Sequence, residues 1–446
     1  MAVNSKKIPI NNLLKGMYVS RLDRPWIETS YPIEGFYIQN DEDIRKLSSL
    51  CKYIYIDVDL TRLRVDPQKL QLNDNHTPQF TVESVKEKIS EHIKAKSDGP
   101  SKTRIRRSSK LLYTERVAFE KEFKTANKLY QTISHTAEEV LQNVESSGQI
   151  DITKVNQIAS DMVDSIIRNP DAFLWLSRLK AKDTHTHNRS IRATIWGIAF
   201  GRYLSLSKKE LDELSIALLV SNIGKARLPR ELLEKADKLN SVERSVYQKH
   251  ISYSVKLLRQ MGSFSATIVN TVASYCERFD GSGYPRKLLG NKIAFSAQIA
   301  GLVSYYEKIT NHRDSNKSLD ATRAMEHLYK LRDTKFQSEL IEEFIQSIGI
   351  YPAGSLIELN SREIAVIIEQ NAAHRLLPKV LILRDADKNP VNTFKILDLS
   401  GFDSTDKHCP KIINSIALGS YNIDSSEILD TIIKTDKSWL LKRLFS

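Results

Sequence analysis

The spacing of hydrophobic positions changes character several times along this chain. From residue 1 to 66 the apolar positions gather in short β-branched and aromatic runs, "IPINNLLKGMYVSRL", "YPIEGFYI" and "KYIYIDVDL", with turn residues between them. That pattern predicts a small, mainly β domain. Residues 67–112 are polar and basic and read as a linker. From 113 to 170 the period lengthens. Val117, Phe123, Ala126, Leu129, Tyr130, Ile133, Val140 and Leu141 recur at three- and four-residue steps, "VESSGQ" interrupts, and "ITKVNQIASDMVDSII" resumes the same period. This predicts a helical connector.

Residues 171–350 carry a dense series of helical patterns. "SIRATIWGIAFGRYL" is apolar nearly all round, which predicts a central, buried helix. Ser207 and Glu210 form a capping box ahead of the next helix. Ser241 is read as the N-cap of "NSVERSVYQKHISYSVKLL", with Glu243 in its first turn. "SATIVNTVASYCER" is another helix and runs into "FDGSGYP"; helices continue through Ile348. After "YPAG" the period becomes two, and residues 351–400 predict a C-terminal β appendage. Residues 401–446 form a tail with one amphipathic stretch, "SSEILDTIIKTDKSWLLKRLFS", expected as a packed terminal helix, with attachment to a membrane surface as the other option. The fold class is mostly α: a helical bundle core with small β modules at both ends.

Composition narrows the classes. At 446 residues, with 41% apolar and 27% charged residues, the chain suits two or three globular domains. No apolar run approaches the roughly 18–20 residues of a membrane span. "MAVNSKKIPINN" has no apolar signal core, which gives a cytoplasmic expectation. Cys51, Cys276 and Cys409 lie far apart and form no metal or disulfide pattern. The net charge of +12 invites anionic partners. Its main cluster, "SKTRIRRSSK", lacks interleaved aromatics, so nucleic acid is an unfavoured partner and a solvated linker the simpler reading.

Chemistry concentrates in the helical core. "ALLVSNIGKARLP" is a helix that delivers Ser221 and Asn222, then Gly224 and Lys225, at its C-terminal end. His185, His187, His250, Glu277, Asp280 and His312 are the core's candidate metal ligands. His185 and His187 are two apart and could chelate jointly only in a loop, and a lone helical His250 reads as structural or as a ligand. "ERFDGSGYP" holds two glycines and a proline that fix its backbone, with Arg278, Asp280, Ser282 and Tyr284 as polar groups.

Together these stretches resemble the HD-GYP family of cyclic-di-GMP phosphodiesterases. The residues that carry the likeness are "LLVSNIGKARLPRELLEKADKLNSVERSVYQKHISYSVKLL", "ERFDGSGYP" and "LVSYYEKITNHR". "LLKGMYVSRLDRPW" looks like the DUF3391-type domain that precedes many members, and "AVIIEQNAAHRLLPKVLILRDADKNP" resembles their β tail. The resemblance implies an HD-type bundle and a site with two or three iron or manganese ions. The family's ligand positions fall here on Arg189, Ser221, Asn222, Tyr275, Cys276 and Ser304, where the family has His, Asp or a His pair. Gly224, Lys225 and His250 match the family, and His185 stands where some members place a carboxylate.

Such a departure predicts no resident metal and no hydrolysis, because water activation and phosphoryl clamping need several metal ions. Arg189, Lys225 and Arg313 would then be the cations left to hold a phosphate. The intact loop, Glu277, Arg278, Asp280, Gly281, Gly283, Tyr284 and Pro285, is expected as a protein-docking surface, with Tyr284 and Arg278 as anchors and a diguanylate-cyclase domain as the partner class. The chain thus reads as a non-hydrolytic member of cyclic-di-GMP signalling that binds a partner protein, a nucleotide, or both. An active phosphodiesterase with an atypical site, and a basic-linker binder of nucleic acid or a membrane surface, are the alternatives.

Overall fold

The computed structural model describes residues 5–23, 36–57, 61, 112–113, 117–179, 186–235, 238–312, 317–349, 351–371, 377–391, 395–402, 409–416 and 420–423. They fall into two compact units, residues 5–61 and residues 112–423. In the first, β1 (Ser5–Pro9), β2 (Tyr18–Leu22), β3 (Phe36–Tyr37) and β4 (Tyr53–Asp57) form an antiparallel sheet in the order β1-β4-β2-β3. Its buried face, with Val19, Ile54 and Ile56, packs on Leu47 of helix α1 (Asp41–Leu50). That helix went unforeseen among the β signals. Asn40 and Asp43 form a full capping box at its start, which was its readable mark.

The second unit is the helical core. Helices α2 (Phe119–Ser146), α3 (Ile152–Arg168) and α4 (Pro170–Leu179) lead into α5 (Thr186–Tyr203) and α6 (Lys208–Val220). Short α7 (Arg230–Glu234) and α8 (Ser241–Gln248) precede α9 (His250–Met261) and α10 (Ala266–Ser274). Then follow α11 (Phe295–Thr310), α12 (Ala321–Lys330) and α13 (Ser338–Ile348). Helix α5 is central, as its all-round apolar pattern predicts: Ile191, Ile195, Ile198 and Phe200 are fully buried. Ser207 caps α6 as expected, with the Ser207 amide donating to Glu210 Oε2 at 2.8 Å. The cap of α8 is a correction. Asn240, not Ser241, is the N-cap, because Glu243 closes a capping box only with the residue three before it.

The connector is built into the core. Val140 and Val144 of α2 and Val155 and Ala159 of α3 share one apolar cluster with Ile216, Ala217 and Val220 of α6, Leu257 and Leu258 of α9, and Val272 of α10. Glu122 of α2 is buried and accepts from Ser165 Oγ and twice from Arg168 on α3, both Arg168 bonds being 2.8 Å.

β5 (Leu356–Leu359), β6 (Ile364–Glu369), β7 (Lys379–Arg384), β8 (Ile396–Asp398) and β9 (Ile412–Ile416) form an antiparallel sheet in the order β8-β7-β6-β5-β9. The Trp175 indole of α4 donates to the Ile367 carbonyl at 3.0 Å and ties this sheet to the bundle. The strand period predicts an appendage that ends at residue 400, yet β9 lies beyond it and pairs with β5. A long connection between β8 and β9 hid this from local pattern. The expected terminal amphipathic helix and the basic linker lie outside the described residues, apart from Leu112. Among the described residues no helix is long and apolar enough to cross a membrane.

Candidate functional site

Ser221 and Asn222 continue from the last turn of α6 into a 3-10 turn, Ile223–Arg227, that carries Gly224 and Lys225. Their side chains join a continuous hydrogen-bonded chain across four helices. Asn222 Nδ2 donates to Ser190 Oγ of α5 and to Ser221 Oγ, each at 3.1 Å. The Tyr275 hydroxyl, at the C-terminal end of α10, lies 3.3 Å from Asn222 Oδ1 and 3.2 Å from His250 Nε2. Its single hydrogen is shared between those two acceptors. His250 is the first residue of α9, and its Nδ1 lies 2.7 Å from the Tyr247 carbonyl. A carbonyl can only accept, so Nδ1 carries the proton and Nε2 faces the phenol.

The electrostatics follow from burial. His250 is 1% exposed. Loss of hydration, with the Lys225 ammonium adding repulsion, lowers its pKa to about 3, so the imidazole is neutral. Burial pushes the Tyr275 phenol well above its ordinary range. Lys225 Nζ lies 5.6 Å from the centre of the Tyr247 ring. Burial raises the Tyr247 phenol, but the charges of Lys225 and Arg189 outweigh it and leave the pKa below the usual value.

Arg189 belongs to a second cluster. Glu307 of α11 is buried and takes Arg189 Nε at 3.2 Å and Arg192 Nη2 at 2.9 Å. Arg189 was expected as a phosphate contact; its guanidinium is instead committed to a carboxylate 118 residues away. Glu307 gave no local sign of this. Ser304 sits one turn before it on α11, half-buried. The His312 amide donates to Ser318 Oγ at 3.0 Å, beyond the end of α11. His187 lies in the first turn of α5. His185 and Arg313 lie outside the described residues.

The "ERFDGSGYP" loop is clamped from within. The Glu277 carboxylate accepts from the Arg286 amide at 2.7 Å and the Leu288 amide at 3.0 Å. The Phe279 and Asp280 amides donate to the carbonyls of Lys335 and Thr334 at 3.0 and 2.8 Å. Lys335 Nζ reaches Asp280 at 3.3 Å and Ser282 Oγ at 2.6 Å. A side chain at Gly283 would overlap the backbone of Glu277 and Arg278, so the tight return needs glycine. The expected anchors require correction. Tyr284 stands edge-on to His250 with ring centres 6.3 Å apart, and burial followed by Cys276 raises its phenol pKa. Arg278 turns back to the Tyr275 carbonyl at 3.1 Å and over the Phe336 ring at 5.1 Å. Both face inward because the loop closes upon itself. Its outward residues are Asp280, Ser282, Pro285, Arg286, Lys287 and Leu289, the last 46% exposed.

Two family models match this chain. The family model described as "HD domain" matches residues 176–340, and that of the domain of unknown function DUF3391 matches residues 5–155. Cyclic di-GMP phosphodiesterase PA4108 of Pseudomonas aeruginosa is 26% identical over 404 residues, 90% of this chain and 91% of its own length. The chain carries an HD domain and is similar to cyclic di-GMP phosphodiesterases. Cyclic di-GMP phosphodiesterase PdeB of Borreliella burgdorferi is 27% identical over 191 residues, 43% of this chain and 50% of the relative. A solved structure of Bd1817, an HDGYP protein from Bdellovibrio bacteriovorus, covers 76% of this chain and 98% of its own, at 14% identity and a TM-score of 0.42.

Among the described residues, the donors at this site do not fit a centre of two or three metal ions. Among the described residues no group of three or more His, Cys, Asp or Glu side chains comes together to hold a metal ion. His250, the one imidazole described at the site, has Nδ1 on a carbonyl and Nε2 against a phenol. Sequence reasoning missed Ser190, Tyr247, Ser254 and Glu307. Tyr247 lay three residues before His250 and could have been found by helical spacing; the others meet the site only through the fold.

Proposed function

We propose that this chain is a non-hydrolytic HD-GYP protein of cyclic-di-GMP signalling, acting in the cytoplasm by binding rather than cleaving. One observation carries the reading: Asn222 and Tyr275, at expected ligand positions, bond to each other, to His250 and to the neighbouring Ser190. Catalysis by metal ions needs convergent donors and an open coordination position for water. Here the polar groups close into a neutral network, and a buried network of satisfied groups resists the insertion of an ion. Lys225 is the cation at this site for a ligand phosphate, since Arg189 is held by Glu307.

The test is metal analysis and product detection on the purified full chain. The expected result is no stoichiometric iron or manganese and no hydrolysis of cyclic di-GMP or its linear product. Two or more bound metal ions per chain, with turnover that His250→Ala abolishes, would establish the phosphodiesterase instead. For binding, Lys225→Met is expected to weaken cyclic di-GMP by roughly 1–3 kcal/mol in calorimetry. A signalling partner, with a diguanylate-cyclase domain the first to try, is tested by pull-down with Leu289→Glu, which alters the outward face of the loop. An unchanged partner set removes the loop from the interface.

A further inference from the structure

Lys225 sits on a turn, and a turn holds a cation in place only if something fixes the turn. Ser254 does this from the neighbouring helix. It lies in α9, fully buried, one helical turn after His250. A serine inside a helix ordinarily bonds the carbonyl four residues back. Ser254 reaches across to α6 instead. Its hydroxyl donates to the Ser221 carbonyl at 3.1 Å and accepts from the Gly224 amide at 2.8 Å. One oxygen therefore pairs with both the carbonyl just before and the amide just after the Asn222–Ile223 segment. The carbonyl that Ser254 forgoes, that of His250, lies directly against Gly224, where a Cβ would overlap it. Gly224 and Ser254 thus form a single joint between the turn and the helix that carries His250. Lys225 is the next residue, and its ammonium lies over Tyr247, one turn before His250.

We propose that Ser254 is a positioning residue, whose hydroxyl fixes the Ser221–Lys225 turn and so holds Lys225 where it meets the phosphate of a ligand. The inference rests on the reading of Lys225 as the phosphate contact. Without the hydroxyl, the buried Ser221 carbonyl and Gly224 amide lose their partner, and an unsatisfied buried polar group drives local rearrangement. The turn then shifts and takes Lys225 with it.

A double-mutant cycle and a ligand-free probe test this in the full chain. Cyclic di-GMP affinity is measured by calorimetry for wild type, Ser254→Ala, Lys225→Met and the double variant. In parallel, NMR of carbon-13-labelled lysine reads the ring-current shift that Tyr247 imposes on the Lys225 ε-methylene, assigned by its absence in Lys225→Met. Ser254→Ala is expected to lower affinity tenfold or more, to have no further effect in the Lys225→Met background, and to lose the ring-current shift. A role confined to general stability would weaken binding equally in both backgrounds and leave the shift of folded protein unchanged; either result overturns the proposal. If wild type does not bind cyclic di-GMP, the reading of Lys225 fails, and the ring-current shift alone decides whether Ser254 places it. If Ser254→Ala does not fold, Ser254→Thr, which keeps the hydroxyl, is expected to retain both shift and affinity. Loss of both from a folded Ser254→Thr protein overturns the assignment.

Discussion

Buried imidazole sets the first residue-scale prediction. His250 has a folded pKa of about 3, against an ordinary value near 6.5 in the unfolded chain. As pH falls between those values, the unfolded chain binds a proton that the folded chain refuses. Stability is therefore full above about pH 6.5 and is lost as pH drops toward 3, at up to about 1.4 kcal/mol per pH unit. From pH 7 to pH 5 this one group should remove about 2 kcal/mol. Urea melts of wild type and His250→Gln at both pH values check it. The variant should show the smaller pH dependence; equal dependence means that His250 protonates freely in the folded protein. The residues of this site were legible in part. Ser221, Asn222 and Lys225 stand on an apolar helix end, and their neighbourhood is visible in the chain. Glu307 and Ser254 were not, because nothing local separates a buried glutamate that holds two arginines, or a serine that bonds across helices, from their solvated counterparts.

Between elements, the contact of the 3-10 turn with α9 is the tightest joint around the site. Gly224 has an ordinary backbone conformation but no room, since an added methyl would meet the His250 carbonyl and the Ser254 amide. Gly262, at the end of α9, is the reverse case: its φ is +68° and nothing lies within 4 Å. Gly224→Ala forces backbone apart and should cost about 3 kcal/mol, the upper range of overpacking. Gly262→Ala meets only left-handed strain and should cost about 1 kcal/mol. Thermal melts of the two variants rank them, and a Gly224→Ala protein as stable as wild type would show that the joint is loose. Helical and strand periods were readable here because burial is one-sided along most elements. Where burial depends on a distant partner, as in β9 pairing with β5, the short run "IINSI" carries no signal of its own. Helix α1, rich in charge, hid for the same reason: its apolar contacts come from the sheet.

For the whole molecule, the question is where the folding unit of the HD core begins. Read from the sequence, the connector of residues 113–170 is a separate element ahead of a core starting at 171. The packing argues for a larger unit. Phe119, Phe123, Ile133, Val140 and Val144 of α2 are buried, the last two in the cluster that supports α6, α9 and α10, which carry Asn222, His250 and Tyr275. Phe123 also packs edge-on to Trp175, the residue that anchors the C-terminal sheet, with ring centres 5.3 Å apart. Each such side chain contributes about 1.5–3 kcal/mol when buried. Together they rival the about 5–15 kcal/mol that separates a folded domain from its unfolded state. Removing α2 and α3 would also strand apolar surface of α6 and α9 in water, a patch prone to association. A fragment beginning at residue 171 is therefore expected to aggregate or to melt without cooperativity. A fragment beginning at residue 112 should fold with a sharp transition and keep the Lys225 site. Size-exclusion chromatography and urea unfolding followed by tryptophan fluorescence distinguish them. A monomeric, cooperatively folding fragment from 171 onward would mean that α2 and α3 lean on a core complete without them.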